Sequence, residues 1–118
     1  MTKIFHNPRC SKSREAVELL RSRDIEFQEV RYLDDPPSAK ELKQVVKMLG
    51  IKPADLVRRK EKLFKELQLE DQKLSDKKWI EIMVENPKLI ERPIVIHNEH
   101  AAIGRPIEKI VELLDSDG

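Results

Sequence analysis

The only cysteine of this sequence, Cys10, is the residue best placed to act as a nucleophile. Cysteine attacks as the thiolate, and a free thiol is mostly protonated at neutral pH, so its surroundings decide whether it reacts. Cys10 follows a short β-rich stretch and directly precedes a stretch with helical periodicity. At a helix start, backbone N–H groups lack intrahelical partners and the helix dipole is positive, so an anion is stabilised there. The position therefore predicts a lowered thiol pKa.

The residues around Cys10 favour a reactive thiol over a buried, inert one. Buried structural cysteines are common, but the neighbours here are polar or turn-forming, which indicates an accessible site. The hydroxyl groups of Ser11 and Ser13 can hydrogen-bond a thiolate directly. Basic neighbours are expected to lower the thiol pKa further, and these are His6, Arg9, Lys12 and Arg14.

A junction of strand, loop and helix is also a common binding site for oxyanions. An oxyanion held beside a thiolate needs cationic groups to offset the repulsion, and the planar guanidinium of arginine suits tetrahedral oxyanions. The candidates are Arg58, Arg59, Arg92 and Arg105. Spacing alone does not choose among them, because the first two begin a charged run typical of an exposed helix face and the other two precede prolines.

Periodicity and turn residues predict the elements that position these side chains. Ser38 is expected to be a helix N-cap, with Glu41 completing the capping-box pattern, and Gly50 is expected to end that helix. Ser75 is expected to cap a later helix. The predicted strands are Lys3–His6, Ile25–Tyr32, Pro93–His97 and His100–Ile103. The predicted helical segments are Ser11–Arg23, Ser38–Gly50, Pro53–Val57, Lys60–Leu69, Ser75–Asn86 and Ile107–Leu114.

This order, β-α-β, a helical insertion and then β-β-α, predicts an α/β protein with a thioredoxin-like fold. A β-α-β unit pairs its strands in parallel, and a closing hairpin and helix complete a four-stranded mixed sheet. We expect one domain over residues 1–118, with the helical insertion at approximately 38–86 forming a subdomain. Leu63, Phe64 and Trp79 are expected in the core of that subdomain, and His97 and His100 at the surface.

Composition limits the classes of function. The 118 residues suit one packed domain, and 39% hydrophobic residues can supply its core. The charged fraction is 38% but the net charge is only +1, so no overall field attracts nucleic acid or a membrane. No apolar run could span a membrane and the N-terminus lacks a signal-peptide core, so we expect a cytoplasmic protein. The spacing of Cys10 and the three histidines does not match a zinc site, and no bound metal or cofactor is expected.

The nine residues from His6 to Arg14 (HNPRCSKSR) resemble the active-site loop of the glutaredoxin-linked arsenate reductase family. The resemblance runs from about Lys3 to Leu114. Further matches follow in order, and they are Tyr32-Leu33 with Pro36-Pro37, Gly50-Ile51, Leu56-Val57-Arg58-Arg59, Glu91-Arg92-Pro93-Ile94-Val95 and Ile103-Gly104-Arg105-Pro106.

The resemblance implies a role for each matching residue. Cys10 would attack arsenic(V), His6 would help to keep the thiol pKa low, and the Ser13 hydroxyl would bond the thiolate. Pro93 matches the thioredoxin-type cis-proline, so the Arg92–Pro93 bond is expected to be cis. Three arginines would bind the oxyanion and stabilise the arsenic–sulfur adduct, and these are Arg58, Arg92 and Arg105.

The resemblance also implies the reaction. Arsenate would be reduced to arsenite through a Cys10–arsenate adduct, with glutathione as co-substrate. Glutaredoxin would then clear the disulfide between Cys10 and glutathione. The chain has no second cysteine to resolve an adduct, which independently requires an external thiol.

Three alternatives stay open at this point. A monothiol glutaredoxin-like thiol-disulfide oxidoreductase could use the Cys-x-x-Ser pattern of Cys10 and Ser13, although a disulfide substrate does not need the arginine trio. A non-enzymatic transcription regulator of the same fold could contact RNA polymerase, but many members of that related family carry a second cysteine where this chain has Ser13. In a purely structural relative, Cys10 would titrate as an ordinary thiol.

Overall fold

The computed structural model describes residues 2–70 and 72–116. The strands, in chain order, are β1 (Thr2–Phe5), β2 (Gln28–Val30), β3 (Ile94–His97) and β4 (His100–Ile103). The helices are α1 (Ser11–Ser22), α2 (Ala39–Leu49), α3 (Pro53–Leu56), α4 (Lys62–Glu66), α5 (Asp76–Glu85) and α6 (Glu108–Ser116), with a 3-10 turn at Pro87–Leu89. None of the helices in these two described ranges combines the length and apolarity needed to cross a membrane.

The described residues form two compact units. The sheet unit comprises those of Met1–Asp35 and Arg92–Gly118, and the helical unit comprises those of Pro36–Glu91. The expected helical insertion at approximately 38–86 falls within the helical unit. That residues 1–118 make up a single domain stays a prediction.

The sheet has the order β2-β1-β3-β4. Strands β1 and β2 are parallel, because the helix α1 carries the chain back to the starting edge, and β3 pairs antiparallel with both β1 and β4. The register pairs Phe5 with Ile94, and Ile94 with Ile103. This mixed four-stranded sheet confirms the predicted α/β class and the thioredoxin-like fold.

The core of the sheet unit is an apolar cluster shared by the sheet and the helices α1 and α6. Helix α1 buries one face, on which Ala16, Val17 and Leu20 recur at helical spacing. The whole cluster consists of Ile4, Ala16, Val17, Leu20, Val95, Ile110, Leu113 and Leu114. This packing anchors α1 at a fixed position after β1, and so it fixes the loop that carries Cys10.

In the helical unit, the predicted caps are confirmed. The Ser38 side chain accepts a hydrogen bond from the Glu41 backbone N–H at 3.2 Å, and Ser75 accepts one from Lys78 at 3.2 Å. Gly50 ends α2 with a φ of 68°, a left-handed conformation that suits glycine. Helices α2, α3 and α5 pack on one another, and the buried side chains include Leu42, Val45, Val46, Leu56, Trp79, Ile80 and Met83.

Two predicted elements are shorter than expected. Strand β2 covers only Gln28–Val30, because Ile25 and Phe27 pack against the apolar cluster from the loop that precedes the strand. Helix α4 stops at Glu66, since Gln68 turns the chain with a φ of 54°. Leu67, which lies within the predicted helical segment Lys60–Leu69, is 39% exposed.

The predictions for individual core and surface residues are confirmed in part. Phe64 and Trp79 are buried as predicted, whereas Leu63 is only partly buried. His100 is exposed as predicted. His97 is only partly exposed, and its Nδ1 forms a 2.7 Å hydrogen bond with Thr2 Oγ1, its partner in the sheet register.

Candidate active site

Three chain segments meet at one edge of the sheet because of the strand register. The loop after β1 carries Cys10, and the pairing of Phe5 with Ile94 sets the start of β3 beside the end of β1. Arg92 stands just before β3, and Arg105 follows β4, whose Ile103 pairs with Ile94. The two arginines are 13 residues apart in sequence, yet the hairpin brings both to Cys10.

Cys10 is the N-cap residue of α1. Its backbone is extended, with φ −96° and ψ 122°, and its carbonyl accepts the first helical hydrogen bond from Arg14 at 3.0 Å. The Cys10 N–H donates to the Asn7 carbonyl at 2.9 Å, which closes a tight turn over Pro8 and Arg9. The side chain is partly exposed, so the predicted accessible thiol is confirmed.

The surroundings of the sulfur stabilise its anionic form. Burial alone would raise the Cys10 pKa, but hydrogen bonding from the Ser13 backbone N–H, the Arg92 side chain and the Lys12 backbone N–H outweighs it. The charge of Arg92 acts in the same direction, and the pKa falls from 9.0 to about 7. A larger share of Cys10 is therefore thiolate near neutral pH than of a free thiol, and the lowered pKa agrees with the helix-start position.

The two arginines are linked to each other as well as to the sulfur. Arg105 donates from Nε to the Arg92 carbonyl at 2.6 Å and from Nη2 to Cys10 Sγ at 3.6 Å. Burial would lower the Arg92 pKa, but hydrogen bonding to Cys10 and the interaction with Tyr32 raise it above its ordinary value. The Arg92 guanidinium therefore stays charged beside the sulfur.

Two cis peptide bonds lie near this edge of the sheet, and one of them was predicted from the sequence. Arg92–Pro93 is cis, as predicted, and Arg105–Pro106 is also cis. Gly104 directly precedes Arg105, and its N–H donates to the Pro93 carbonyl at 2.9 Å. A Cβ at this glycine would lie 2.9 Å from Pro93 Cγ and 2.5 Å from Ile110 Cδ1 of α6, so a side chain here would force these neighbours to shift.

Ser13 acts on the sulfur through its backbone and not through its hydroxyl. The residue is 0% exposed, and its Oγ has no hydrogen-bond partner among the described residues. The expected hydrogen bond from that hydroxyl to the thiolate is therefore not formed here. The physical reason is that Ser13 lies on the inward face of α1, where only its N–H points back to the helix start.

His6 is buried at the end of β1 and turns to the neighbouring strand. Its Nε2 lies 3.5 Å from Glu29 Oε1. Burial lowers the His6 pKa despite this carboxylate, and the charges of Arg31, Arg21 and Arg14 lower it further. A neutral imidazole exerts little electrostatic pull on a thiolate, so the effect of His6 on Cys10 stays a prediction.

Arg58 belongs to the helical unit, where it has two carboxylate partners. Its Nη1 lies 3.5 Å from Glu61 Oε2, and its Nε lies 4.0 Å from Glu91 Oε1. The neighbouring Arg59 holds its guanidinium over the Phe64 ring, 5.4 Å from the ring centroid. A role of Arg58 in binding an oxyanion stays a prediction.

Tyr32 is the residue of this site to which sequence reasoning gave no role. The residue is 0% exposed, and it is among the groups that raise the Arg92 pKa. The sequence offered no sign of this position, because Tyr32 falls in a strand predicted over Ile25–Tyr32 and a tyrosine in a strand usually packs in the core.

The arrangement as a whole can stabilise a thiolate and hold an anion beside it. In residues 2–70 and 72–116, no three histidine, cysteine, aspartate or glutamate side chains gather in a way that could hold a metal ion.

Known proteins resemble this chain over nearly its whole length. A protein-family model described as the ArsC family matches residues 5–113. The uncharacterized protein YfgD of Escherichia coli K12 is 50% identical over 113 residues, which cover 95% of each chain. The arsenate reductase of Neisseria meningitidis serogroup B is 47% identical over 113 residues, covering 95% of this chain and 97% of that protein.

A solved structure gives the same result for the fold. The structure described as an arsenate reductase from Vibrio cholerae is 47% identical and superposes with a TM-score of 0.90, covering 94% of this chain and 95% of that one. The predicted resemblance to the arsenate reductase family is thereby confirmed. The chain belongs to the ArsC family.

Proposed function

We propose that this protein is an arsenate reductase in which Cys10 is the nucleophile. The observation that carries the proposal is the single sulfur with a pKa of about 7, in contact with the guanidinium groups of both Arg92 and Arg105. A thiolate alone would repel an anionic substrate, and two fixed cations reverse that repulsion. Relatives at 47% and 42% identity, from Neisseria meningitidis and Haemophilus influenzae, are named arsenate reductases.

In the first step, arsenate lies against the two guanidinium groups and Cys10 Sγ donates an electron pair to arsenic. A sulfur–arsenic bond forms, one arsenic–oxygen bond breaks, and the oxygen leaves as water after protonation. Arsenic remains in the +5 state. Arg92 and Arg105 stabilise the oxygens of the adduct, since fixed donors aimed at developing charge lower the barrier.

In the second step, we propose that glutathione supplies the electrons. Its thiolate attacks Cys10 Sγ, a disulfide forms, and the electron pair of the sulfur–arsenic bond stays on arsenic, which leaves as arsenite in the +3 state. A thiolate of glutaredoxin then attacks the glutathione sulfur and releases Cys10 as a thiolate. An external thiol is needed because the sequence holds no second cysteine.

The same site gives less support to the two alternative functions, a monothiol oxidoreductase and a transcription regulator. A monothiol oxidoreductase acting on disulfides would not need two arginines at its sulfur, and a transcription regulator would need neither them nor a lowered thiol pKa. Both alternatives remain measurable outcomes of the experiment. We also retain the cytoplasm as the proposed location, since the proposed reaction consumes glutathione.

The test is an assay for arsenite formation from arsenate with glutathione, run with and without glutaredoxin. We expect turnover that requires glutathione and increases with glutaredoxin. Cys10→Ser should lower turnover by about three orders of magnitude or more, because loss of a nucleophile removes the covalent pathway.

The Cys10→Ser variant needs a folding control, and its thermal unfolding should match that of the unsubstituted protein. Arsenite formation by a folded Cys10→Ser variant at the normal rate would refute the assignment of Cys10. Reduction of a glutathione mixed disulfide without any arsenate-dependent turnover would support the oxidoreductase alternative. Capture of RNA polymerase by a protein inactive in both assays would support the regulator.

A further inference from the structure

We propose that a charged groove between α1 and β2 binds glutathione, with Arg14 and Arg31 on its carboxylates, and so presents the glutathione sulfur to Cys10. The inference rests on the proposed function, which makes glutathione the external thiol. The groove has a volume of about 280 Å³. That volume is near the lower end of the range for small-molecule sites, about 300–1,000 Å³, which suits a ligand of the size of a tripeptide.

One wall of this α1–β2 groove starts at the loop that carries the sulfur. The Cys10 carbonyl accepts the Arg14 N–H at 3.0 Å, and Arg14 Nη1 donates to the Pro8 carbonyl at 2.9 Å. The Arg14 guanidinium therefore lies against the Cys10 loop. Glu18 and Arg21 follow on the same stripe of the helix, at intervals of four and three residues, and they also line the groove.

The other wall comes from the end of the sheet. The His6 N–H donates to the Val30 carbonyl at 2.8 Å, so the residue after β2, Arg31, lies beside the first residue of the Cys10 loop. His6, Glu29 and Arg31 all line the groove. Because both walls reach the same loop, a ligand in the groove is directed toward Cys10.

The charges of the groove match those of glutathione, which has two carboxylates and one ammonium at neutral pH. The groove has three arginines and two glutamates, so it offers both signs with an excess of positive charge. Arg31 Nε lies 3.7 Å from Glu29 Oε1, which is longer than a hydrogen bond, and its side chain is 61% exposed. Such a pair is weak and can exchange for a carboxylate of the ligand. The partner of Arg14 is a neutral carbonyl, which leaves its charge uncancelled.

The sheet order places the groove where the second step of the proposed reaction needs it. A thiolate that displaces arsenic from Cys10 Sγ approaches from the side opposite to the breaking sulfur–arsenic bond. The order β2-β1-β3-β4 puts β2 and β3 on opposite sides of β1. Arg92 and Arg105, which are proposed to hold the arsenic oxygens, come from β3 and β4, whereas the groove lies on the β2 side.

The test measures attack on Cys10 Sγ without arsenate. Cys10 is first converted to its mixed disulfide with 2-thiopyridine, which is a neutral leaving group. An added thiolate then forms a disulfide with Cys10 Sγ, the bond to the thiopyridine sulfur breaks, and that sulfur leaves with the electron pair as 2-thiopyridone after protonation. The absorbance of 2-thiopyridone gives the second-order rate constant, for glutathione and for the uncharged thiol 2-mercaptoethanol.

The double variant Arg14→Ala/Arg31→Ala should react with glutathione about tenfold more slowly, as for the loss of one hydrogen bond to a charged group. Its reaction with 2-mercaptoethanol should change less than roughly twofold, because that thiol has no carboxylate. Arg31→Ala alone keeps the hydrogen bond between Arg14 and Pro8, and it should show a smaller loss with the same selectivity.

Arg23→Ala is the matched control, because it removes an arginine of the same helical segment that binds Asp115 of α6 at 2.7 Å. We expect less than a roughly twofold change with either thiol, as for an exposed pair. An unchanged glutathione rate in the double variant would overturn the inference. Equal losses with both thiols, or an equal glutathione loss in Arg23→Ala, would also overturn it, since neither result would involve recognition of glutathione by the groove.

The exchange reaction also separates this inference from the proposed function. A loss selective for glutathione, in a protein without arsenate turnover, would keep the groove as a glutathione site and refute only the reductase. Normal arsenate turnover, with the KM for glutathione unchanged in the double variant, would refute only the inference. If both are correct, the KM for glutathione should rise about tenfold in the double variant while the KM for arsenate stays the same.

Discussion

The two units use arginine in different ways. In the sheet unit, Arg92 and Arg105 interact with the sulfur of Cys10. In the helical unit, Arg58 lies between the carboxylates of Glu61 and Glu91. A guanidinium that already has two carboxylate partners has less attraction left for a third anion. The two units therefore give their arginines different partners, and the binding of an oxyanion by Arg58, Arg92 and Arg105 stays a prediction.

The units also differ in how their backbones are ordered. The sheet unit assembles its site from three distant segments through strand register, which pairs Phe5 with Ile94 and Ile94 with Ile103. The helical unit relies on local signals, such as the serine caps of α2 and α5. Substitutions in the sheet unit should therefore change chemistry, and those at the caps of the helical unit should change stability.

The largest effect expected from this comparison comes from Arg92→Ala. Removal of this guanidinium should lower kcat/KM for arsenate by about 100-fold, since it eliminates a charged donor fixed beside the nucleophile. Arg59→Ala is the matched control, because it removes an arginine whose guanidinium lies over Phe64. We expect less than a roughly twofold change there, in line with the small contribution of an exposed cation–π contact.

Equal losses in the two arginine variants would contradict the comparison between the units. They would mean that the oxyanion does not bind beside Cys10. Steady-state arsenite formation at several arsenate concentrations measures both variants in the same way.

The pH dependence of the thiol should show the next largest effect. Only the thiolate reacts with iodoacetamide, so the alkylation rate should rise with pH through a midpoint near 7 and level off above it. Below the midpoint, the rate should fall about tenfold for each step of one in pH, as the thiolate fraction does. The sequence has a single cysteine, so the label reports Cys10 alone.

Two arginine substitutions test which groups set the midpoint of the alkylation rate. Arg92→Ala should move the midpoint upward, toward the ordinary value of 9.0, because it removes a hydrogen bond and a positive charge that lower the Cys10 pKa. Arg59→Ala should leave the midpoint unchanged. A midpoint near 9 in the unsubstituted protein would favour the structural relative with an ordinary thiol.

The sequence predicts local features of this molecule better than it predicts contacts between residues that are distant in sequence. The caps at Ser38, Gly50 and Ser75 are confirmed, because a cap depends on residues within a few positions of it. The lowered Cys10 pKa is local in the same sense, since backbone N–H groups of the next helical turn supply much of it.

The arginines and Tyr32 illustrate what the sequence leaves open. Arg92 and Arg105 meet Cys10 only through the register of three strands, so spacing could not select them, and only the family resemblance did. The buried position of Tyr32 depends in the same way on where two parallel strands end. The ends of β2 and α4 were misjudged because Phe27 and Leu67 fit the apolar pattern of an element that does not extend to them.

The smallest effect expected is on the helical unit, from Ser38→Ala. The Ser38 Oγ accepts a hydrogen bond from the Glu41 N–H at 3.2 Å, and its loss should lower the free energy of unfolding by about 1 kcal/mol, as measured by urea denaturation. Ser38→Asp retains an acceptor and should recover most of that loss. Neither variant should move the Cys10 alkylation midpoint, because the described groups that set it belong to the sheet unit. If either Ser38 variant shifts the alkylation midpoint, residues of the helical unit also affect the Cys10 pKa. The assignment of chemistry to the sheet unit and of stability to the helical unit would then be wrong.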